Sequence, residues 1–208
     1  MKTPLVRIAA AAIMFALPAI ASAQLGPDAI AFGKLAYHSS DYSVDHQAAK
    51  AVDGNTDGIY SNNFSTHTQS DDKAWWYVDL GDTYLISSIK VWNRTDCCTD
   101  RLSNFYVSIL SAGTSNPELF SSPTAWQSFN SGSLAGASEV FTPGTDVFGR
   151  YVKVQLRDAN YLHLAEVDVQ GSLGSGTIVP EPSSFALLGS GLILMVVRSR
   201  RRKDASQV

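Results

Sequence analysis

The 208-residue chain contains only two cysteines, Cys97 and Cys98, and they are adjacent. Neighbouring cysteines cannot cross-link distant parts of a fold, so a disulfide-rich scaffold is excluded. The chain also lacks internal repeats, and no stretch with a helical period is longer than about ten residues. These absences argue against both a repeat architecture and a helical bundle.

Basic residues are too few for a nucleic-acid-binding protein. The chain has sixteen basic and nineteen acidic residues, a net charge of −3. Segment 1–23 holds two of the basic residues, and segment 180–208 holds five basic and two acidic ones. The remaining 24–179 therefore has nine basic and seventeen acidic residues, a net charge of −8. Such an acidic domain is a poor partner for a phosphate backbone, so we predict no nucleic-acid binding.

A short apolar run, Ile8–Ile20, lies near the N-terminus between Lys2 and Arg7 on one side and Ala21-Ser22-Ala23 on the other. A basic start, a short apolar run and small residues at its end are typical of a secretory signal peptide. We therefore predict that residues 1–23 are removed on export, which places the cysteines where a disulfide can persist.

A second apolar run, 185–197, follows Pro180-Glu181-Pro182 and ends in a basic cluster, 198–203. As a helix this run spans about 20 Å, short of a bilayer core of about 30 Å, and the basic cluster would stay cytoplasmic. The order resembles the PEP-CTERM sorting signal of exopolysaccharide-making Gram-negative bacteria, which an exosortase recognises and cleaves near Pro-Glu-Pro.

This resemblance implies that 180–208 is a sorting signal with a short transmembrane segment and only a transient membrane association. After processing by an exosortase-type enzyme, the protein would reach the outer surface or extracellular matrix of a Gram-negative bacterium. The alternative for the same segment is a permanent tail anchor.

Between the two ends, the apolar pattern predicts one all-β domain. Apolar residues alternate or cluster in short runs separated by turn residues, as in strands. The predicted strands are 75–80, 85–93, 105–110, 151–156 and 164–169, and 45–52 is predicted to form one or two helical turns. Trp75, Trp76 and Trp92 are predicted to be core or rim aromatics. The Gly- and Ser-rich segment 172–179 is predicted to be a flexible linker.

The segment around the cysteines concentrates the features of a ligand site. Arg94 and Arg101 supply forked donors, and Asp96 can hold one of them by a charge-assisted pair. The cysteines form either an oxidised pair with a rigid sulfur surface or two reduced thiols packed in a core. Two guanidinium groups beside a flat apolar surface form the kind of site that can bind a polyhydroxylated ring.

His67 precedes Arg94 by twenty-six intervening residues, and this spacing resembles the signature of the F-type, fucose-binding lectins. The resemblance covers residues 29–171, and the matched positions are His67, Arg94, Asp96, Cys97, Cys98 and Arg101. It implies an eight-stranded jelly-roll β-sandwich of the discoidin-like, galactose-binding-domain-like type. It also implies a binding partner, namely L-fucose on fucosylated glycans or exopolysaccharide.

The resemblance implies a role for each matched residue. Hydrogen bonds to fucose would come from His67, Arg94 and Arg101, and Asp96 would orient an arginine. The Cys97–Cys98 pair would form a disulfide that packs against the ring carbons. Tyr60 would line a pocket for the C6 methyl group.

Segment 51–58 is dense in carboxylates, amides and glycine. It predicts either a plain turn with Asx hydrogen bonds or a Ca²⁺ site, since calcium takes six to eight oxygen ligands. The family resemblance implies calcium, bound by the side chains of Asp53, Asn55 and Glu166 and by the carbonyls of Lys50, Phe64 and Ala165. The family often has a hydroxyl where Phe64 stands, and Ser65 is the candidate substitute.

Segment 39–51 is shorter than the loop that reaches a second sugar in family members with extended specificity. Asp45 and His46 would either reach outward to such a sugar or remain exposed loop residues, and we expect the latter.

Two other functions compete with a lectin. One is a structural exopolysaccharide or biofilm matrix protein with a degenerate discoidin-like domain, against which the intact His67, Arg94 and Arg101 argue. The other is an enzyme. Glycoside hydrolysis needs two carboxylates that flank the bond, and Asp96 beside two arginines is ill placed as a general acid. We therefore predict no catalytic activity.

Overall fold

The computed structural model describes residues 29–63 and 65–174. The chain divides into two compact units, 1–172 and 173–208, and the first is described below. The predicted signal peptide 1–23, Phe64 and the predicted sorting signal 180–208 lie outside the described residues. In the part that is described, no helix is long and apolar enough to cross a membrane.

The described residues contain nine strands and three short 3₁₀ helices, which confirms the predicted all-β domain. Each predicted strand overlaps an observed one, and two of the nine strands have only two residues, so the count exceeds the predicted eight. The strands are β1 Leu35–His38, β2 Ser70–Asp71, β3 Trp75–Trp92, β4 Ser103–Leu110, β5 Thr124–Ser133, β6 Ser138–Phe141, β7 Val147–Leu156, β8 Asn160–Tyr161 and β9 Glu166–Leu173; the 3₁₀ helices are Ala48–Val52, Tyr60–Asn62 and Thr99–Arg101.

Seven strands form one sheet in the order β1-β3-β7-β4-β5, with β6 and β9 also paired to β3. Neighbours along this path are antiparallel. β2 and β8 form a separate antiparallel pair. Because β9 continues to Leu173, the sheet extends into the segment predicted as a linker, 172–179.

β3 is 18 residues long and joins two predicted strands. Gly81-Asp82 suggests a turn between them, but the structure has a register shift between Asp79 and Tyr84 instead. Gly81 takes φ 86°, and its N–H donates to Asp79 Oδ1 at 2.8 Å. The chain therefore forms a bulge and stays extended, because it keeps pairing with β7 on both sides of the shift.

Alternation along β3 decides which face of the sheet is the core. Trp76, Val78 and Leu80 are fully buried, whereas Trp75 and Tyr77 are only partly buried. Burial of each large apolar side chain stabilises the fold by about 1.5–3 kcal/mol. Trp92 is also partly buried, so the prediction of core or rim tryptophans is confirmed.

Trp76 also fixes a loop to the core. Its indole N–H donates to the carbonyl of Ala48 at 2.9 Å, which holds the 3₁₀ helix Ala48–Val52 against β3. That helix lies within the predicted helical turns of 45–52 and buries Ala51 and Val52.

Three loops, 39–74, 93–102 and 157–165, pack against one another through backbone hydrogen bonds. The N–H groups of Thr66 and Thr68 donate to the carbonyls of Leu164 and Leu162, both at 2.9 Å. The Thr95 N–H donates to the Gly58 carbonyl at 2.9 Å. Residues that are far apart in sequence are thereby held next to each other.

The first two loops approach each other closely at Gly58. This glycine has φ +67°, and a Cβ atom there would lie 2.8 Å from the carbonyl oxygen of Asn93. Gly33 has the same φ of +67° but no atom within 4 Å of its would-be Cβ. Substitutions at Gly33 and Gly58 can therefore be compared to separate the cost of backbone strain from the cost of steric contact.

We expect Gly58→Ala to destabilise the protein more than Gly33→Ala. Both substitutions carry the left-handed backbone penalty of about 1–2 kcal/mol, and Gly58→Ala adds a steric cost of about 1–3 kcal/mol. Denaturant unfolding of the two variants and the wild type measures the difference. Equal destabilisation by both variants would show that the two loops are free to move apart.

Candidate functional site

The three loops bring the predicted sugar-binding residues around His67. The Arg94 guanidinium lies over the Tyr60 ring, with Cζ 4.3 Å from its centroid. Arg101 lies over Tyr161 in the same way at 4.5 Å. The centroids of Tyr60 and Tyr161 are 5.6 and 5.5 Å from that of His67. Each of the two tyrosines therefore carries one arginine beside the histidine.

His67 is held in one tautomer. Its Nδ1 lies 2.7 Å from the carbonyl oxygen of Thr68, and a carbonyl only accepts, so Nδ1–H is the donor. The other nitrogen, Nε2, is then an acceptor. Burial, followed by smaller effects of charges that include Arg101 and Arg94, lowers the pKa of His67 to about 4. At neutral pH the histidine is therefore an uncharged acceptor between two cations.

Arg94 is fixed by a two-pronged pair with Asp96. Its Nε donates to Oδ1 at 2.6 Å and its Nη2 donates to Oδ2 at 3.2 Å. The arginine is 8% exposed, and its hydrogen bond lowers the pKa of the Asp96 carboxyl. Asp96 thus holds the guanidinium in one plane and leaves Nη1 unengaged by the described residues.

Arg101 differs from Arg94 because no described carboxylate pairs with it. Its guanidinium stacks on Tyr161, and its backbone N–H donates to the Cys98 carbonyl at 3.1 Å. The N–H groups of the Arg101 guanidinium therefore remain available to donate hydrogen bonds to a ligand.

Cys97 and Cys98 are bonded to each other, so the predicted disulfide is confirmed and the alternative of two reduced thiols is wrong. Cys98 has a left-handed backbone, φ 55°, and precedes the 3₁₀ helix that ends at Arg101. The Asn93 side chain donates to the Thr99 carbonyl at 2.9 Å and holds this turn. Cys97 is exposed and Cys98 is partly exposed, so the disulfide lies at the surface, between the two arginines in the chain.

His46 is not the exposed loop residue that the sequence led us to expect. It is 3% exposed, its ring stacks on Tyr60 at 4.0 Å, and its Nδ1 lies 2.8 Å from the Ser65 carbonyl. The reason is tertiary, since stacking on Tyr60 buries the imidazole. Asp45 is exposed, as expected.

Sequence reasoning missed three aromatic residues around His67. The ring centroids of Tyr42, Tyr161 and His163 lie 4.3, 5.5 and 5.4 Å from that of His67. Tyr42 lies in a loop and Tyr161 in a two-residue strand, so neither gives a periodic signal. The alternation Leu162-His163-Leu164 is the one available hint of a buried residue.

His163 lies beneath the site. It is fully buried, and neither ring nitrogen has a hydrogen-bond partner among the described residues. Burial, helped by repulsion from His67 and the two arginines, lowers the pKa of His163 to about 3. It is therefore a neutral group, which allows the cations above it to stay close together.

The predicted calcium ligands also come together, apart from Phe64, which lies outside the described residues. The Gly54 N–H lies 3.3 and 3.4 Å from the two carboxylate oxygens of Glu166. Asp53 Oδ1 accepts from the Asn55 N–H at 3.0 Å, and Lys50 Nζ is 3.9 Å from Asp53 Oδ2. Ala165 is fully buried beside Glu166.

The donor set of this cluster fits a hard cation. Glu166 is 1% exposed, and burial, together with repulsion from Asp53, raises its pKa to about 8. Ser65 Oγ is buried and lacks a hydrogen-bond partner among the described residues. A divalent cation would stabilise the ionised Glu166 carboxylate and would give the Ser65 hydroxyl oxygen a partner. Within 29–63 and 65–174, no group of three or more His, Cys, Asp or Glu side chains is arranged for a metal, so the predicted set depends on amide and carbonyl oxygens.

Comparison with known proteins gives two family matches. Residues 50–154 match the model of the NedA-like, galactose-binding domain, and residues 179–202 match the PEP-CTERM protein-sorting motif. The predictions of a discoidin-like β-sandwich and of a sorting signal at the C-terminal end are therefore confirmed.

The chain is similar to eel fucolectins. It is 36% identical to Fucolectin-6 of Anguilla japonica over 127 residues, 61% of this chain and 64% of the relative. It is 32% identical to the fucolectin of Anguilla anguilla over 133 residues, 62% of this chain and 79% of the relative. The match thus leaves about a third of the first relative uncovered.

Among solved structures, a fucose binding module of Streptococcus pneumoniae superimposes with a TM-score of 0.60 and 32% identity, covering 68% of this chain and 93% of that one. Fucolectins and fucose-binding modules are binding proteins, so the prediction that the chain is not an enzyme is confirmed.

Proposed function

We propose that this chain, which belongs to the F-type lectin (fucolectin) family, is a lectin that binds terminal L-fucose at the loops around His67. The observation that carries the proposal is one uncharged acceptor, His67 Nε2, placed beside two guanidiniums that each lie over a tyrosine. A polyhydroxylated ring offers both donors and acceptors to such a set.

The two arginines would recognise hydroxyl groups in different ways. Asp96 fixes Arg94, so its remaining N–H groups point in one direction and demand a hydroxyl there. Arg101 has no described ion-pair partner and its charge is held only by Tyr161. A sugar whose hydroxyls are placed otherwise would leave buried donors unpaired, which costs about 1–3 kcal/mol for each group.

The apolar side of the sugar would meet the disulfide and Tyr60. The Cys97–Cys98 pair presents sulfur atoms to solvent, which suits the carbon face of the ring. Tyr60 is clamped between the His46 ring and the Arg94 guanidinium, so it forms a rigid wall for the C6 methyl group. A hexose with a hydroxyl at that carbon would place a polar group against an aromatic ring.

We expect His67→Ala, Arg94→Ala and Arg101→Ala each to weaken L-fucose binding at least tenfold. Each loses a hydrogen bond to or beside a charged group, which is worth about 1.5–3 kcal/mol. Calorimetric titration of the folded variants measures the loss.

Arg157→Ala is the matched control, because Arg157 also lies over an aromatic ring, that of Phe129, outside the site. It should bind fucose as the wild type does. Near-normal affinity in all three site variants would overturn the proposed site. A domain that binds no fucosylated glycan at all would favour a matrix protein with a degenerate domain.

A calcium ion bound by Asp53, Asn55 and Glu166 and by the carbonyls of Lys50, Phe64 and Ala165 is proposed as a structural brace, with Ser65 as a further ligand. The buried Glu166 carboxylate, which Asp53 repels, supports it, as does the Ser65 hydroxyl, which has no hydrogen-bond partner among the described residues. The Thr66 N–H bonds to Leu164 and so sets Ser65 opposite Ala165. A cation there would join loop 39–74, which carries His67, to β9.

We expect added Ca²⁺ to raise the melting temperature and excess chelator to lower it, because the ion binds only the native state. The rise should be larger above pH of about 8 than below it, since the cation must displace a proton from Glu166. Thermal melts with elemental analysis of the purified protein provide the measurement.

Glu166→Gln should abolish the calcium response, whereas Asp57→Asn, which changes an exposed carboxylate of the same segment, should preserve it. Identical melting curves with and without chelator, and no metal in the protein, would leave 53–58 as a plain turn.

The sorting motif indicates export and sorting to the cell surface. We propose that an exosortase-type enzyme cleaves near Pro180 after transient membrane association, and that the host is a Gram-negative bacterium. Pro-Glu-Pro cannot continue a helix, which makes it accessible to a protease.

Protein recovered from the native cell surface should therefore end near Pro180 and lack the arginine cluster. C-terminal peptide mapping decides this, with the full-length precursor as the reference. An intact tail on most molecules would make the protein a tail-anchored lectin.

A further inference from the structure

A second groove lies on the outer face of the main sheet. It has a volume of about 540 Å³ and is lined by parts of β1, the following loop, β3 and Glu118. None of the residues proposed to bind fucose lines it. Its size falls in the range of pockets that hold small ligands, about 300–1,000 Å³.

The floor of the groove is a row of three stacked aromatic rings. Tyr37 of β1 pairs with Tyr77 of β3, and their rings stack at 5.1 Å with an interplanar angle of 27°. Trp75 stacks on Tyr77 at 5.4 Å and 24°. Tyr37 is 45% exposed, although apolar surface of this kind is normally covered. Because the rings stack on one another, neighbouring faces cover each other, and the exposed ring of Tyr37 at the end of the row is the part left for a sugar ring.

One wall of the groove is held in place by a buried lysine. Lys153 of β7 is 3% exposed, and its Nζ donates to the carbonyls of Glu118 and Leu119 at 3.0 and 2.9 Å. These bonds fix loop 111–123 across the outer face of the sheet. The Glu118 side chain is thereby set beside Tyr77, and its charge contributes, after burial, to raising the pKa of Tyr77 to about 12.

The charge of the groove is acidic. No lysine or arginine of the described residues lines it, and the nearby Lys153 ammonium is buried and bonded to the carbonyls of Glu118 and Leu119. Asp41 is paired with His38 Nε2 at 2.5 Å, whereas the Glu118 carboxylate forms no ion pair with any residue in the described ranges. An anionic polysaccharide would be repelled here, and a cationic group would find both a carboxylate and aromatic faces.

We propose that this groove is a second glycan-binding site, which takes a chain of amino sugars that carry free ammonium groups. The apolar face of one sugar ring lies on Tyr37, and an ammonium group of the chain pairs with Glu118. Since the groove and the fucose site share no residue, one molecule can hold two different glycans at once. The protein would then cross-link polysaccharides as well as bind them.

The test compares two probes that differ only at the sugar nitrogen, an oligomer of glucosamine with free amino groups and its fully N-acetylated, uncharged counterpart. Calorimetric titrations with the purified protein are run in slightly acidic buffer, in which the amino groups are protonated. We expect the glucosamine oligomer to bind more tightly, and saturating L-fucose to leave this binding unchanged.

Two variants probe the two parts of the site. Tyr37→Ala should weaken binding of the glucosamine oligomer roughly fivefold through loss of a stacked ring. Glu118→Gln should weaken it about threefold and remove the preference over the acetylated oligomer. Phe148→Ala is the matched control, because Phe148 is an equally exposed aromatic residue outside the groove, 49% against 45% for Tyr37.

Several results would overturn the proposal. They are equal affinity for both oligomers, no binding of either, displacement by fucose, or unchanged binding in both variants. Glu118→Gln keeps the volume of the side chain, so it remains informative even where removal of the Tyr37 ring impairs folding.

Discussion

The hydrogen bond from His67 Nδ1–H to the Thr68 carbonyl is the interaction on which the rest of the site depends. It fixes the tautomer, so the nitrogen that remains is an acceptor. Burial keeps the ring uncharged, with a pKa of about 4, and an uncharged ring is what lets Arg94 and Arg101 converge. A charged histidine would repel both guanidiniums. His163 beneath His67 is also uncharged, with a pKa of about 3, and so adds no further repulsion to the two arginines.

The sheet divides the protein into a packed side and a side that remains available for binding. On β3, one set of alternating residues, Trp76, Val78 and Leu80, forms the core. The other set, Trp75 and Tyr77, forms an aromatic row on the outer face. The bulge near Gly81 extends this strand past the point where a turn would have ended it. The same strand also leads into the Arg94 loop, so it contributes to both of the proposed glycan sites.

Electrostatics differ between the two sites although the domain as a whole is acidic. Two arginines dominate the loops around His67, and their only described carboxylate partner is Asp96. The groove on the outer face has the opposite sign, with Glu118 and no lysine or arginine of the described residues in its lining. The buried Glu166, whose pKa is about 8, adds a third environment suited to a metal ion. The three proposed sites would therefore favour ligands of different charge.

The sequence alone indicated the alternation of β3, β4, β7 and β9, and through the family resemblance it implied the bonded Cys97–Cys98 pair and the residue types of the proposed fucose site. These features depend on alternation, on adjacency and on a fixed spacing, all of which are legible along the chain. It did not determine that Gly81-Asp82 forms a bulge, that Tyr60 buries His46, or that Tyr42, Tyr161 and His163 surround His67. Each of these depends on the register of strands and on contacts between loops about a hundred residues apart. Tertiary structure decided them, because a local pattern carries no information about which distant backbone will supply the hydrogen bond or the ring that completes a site.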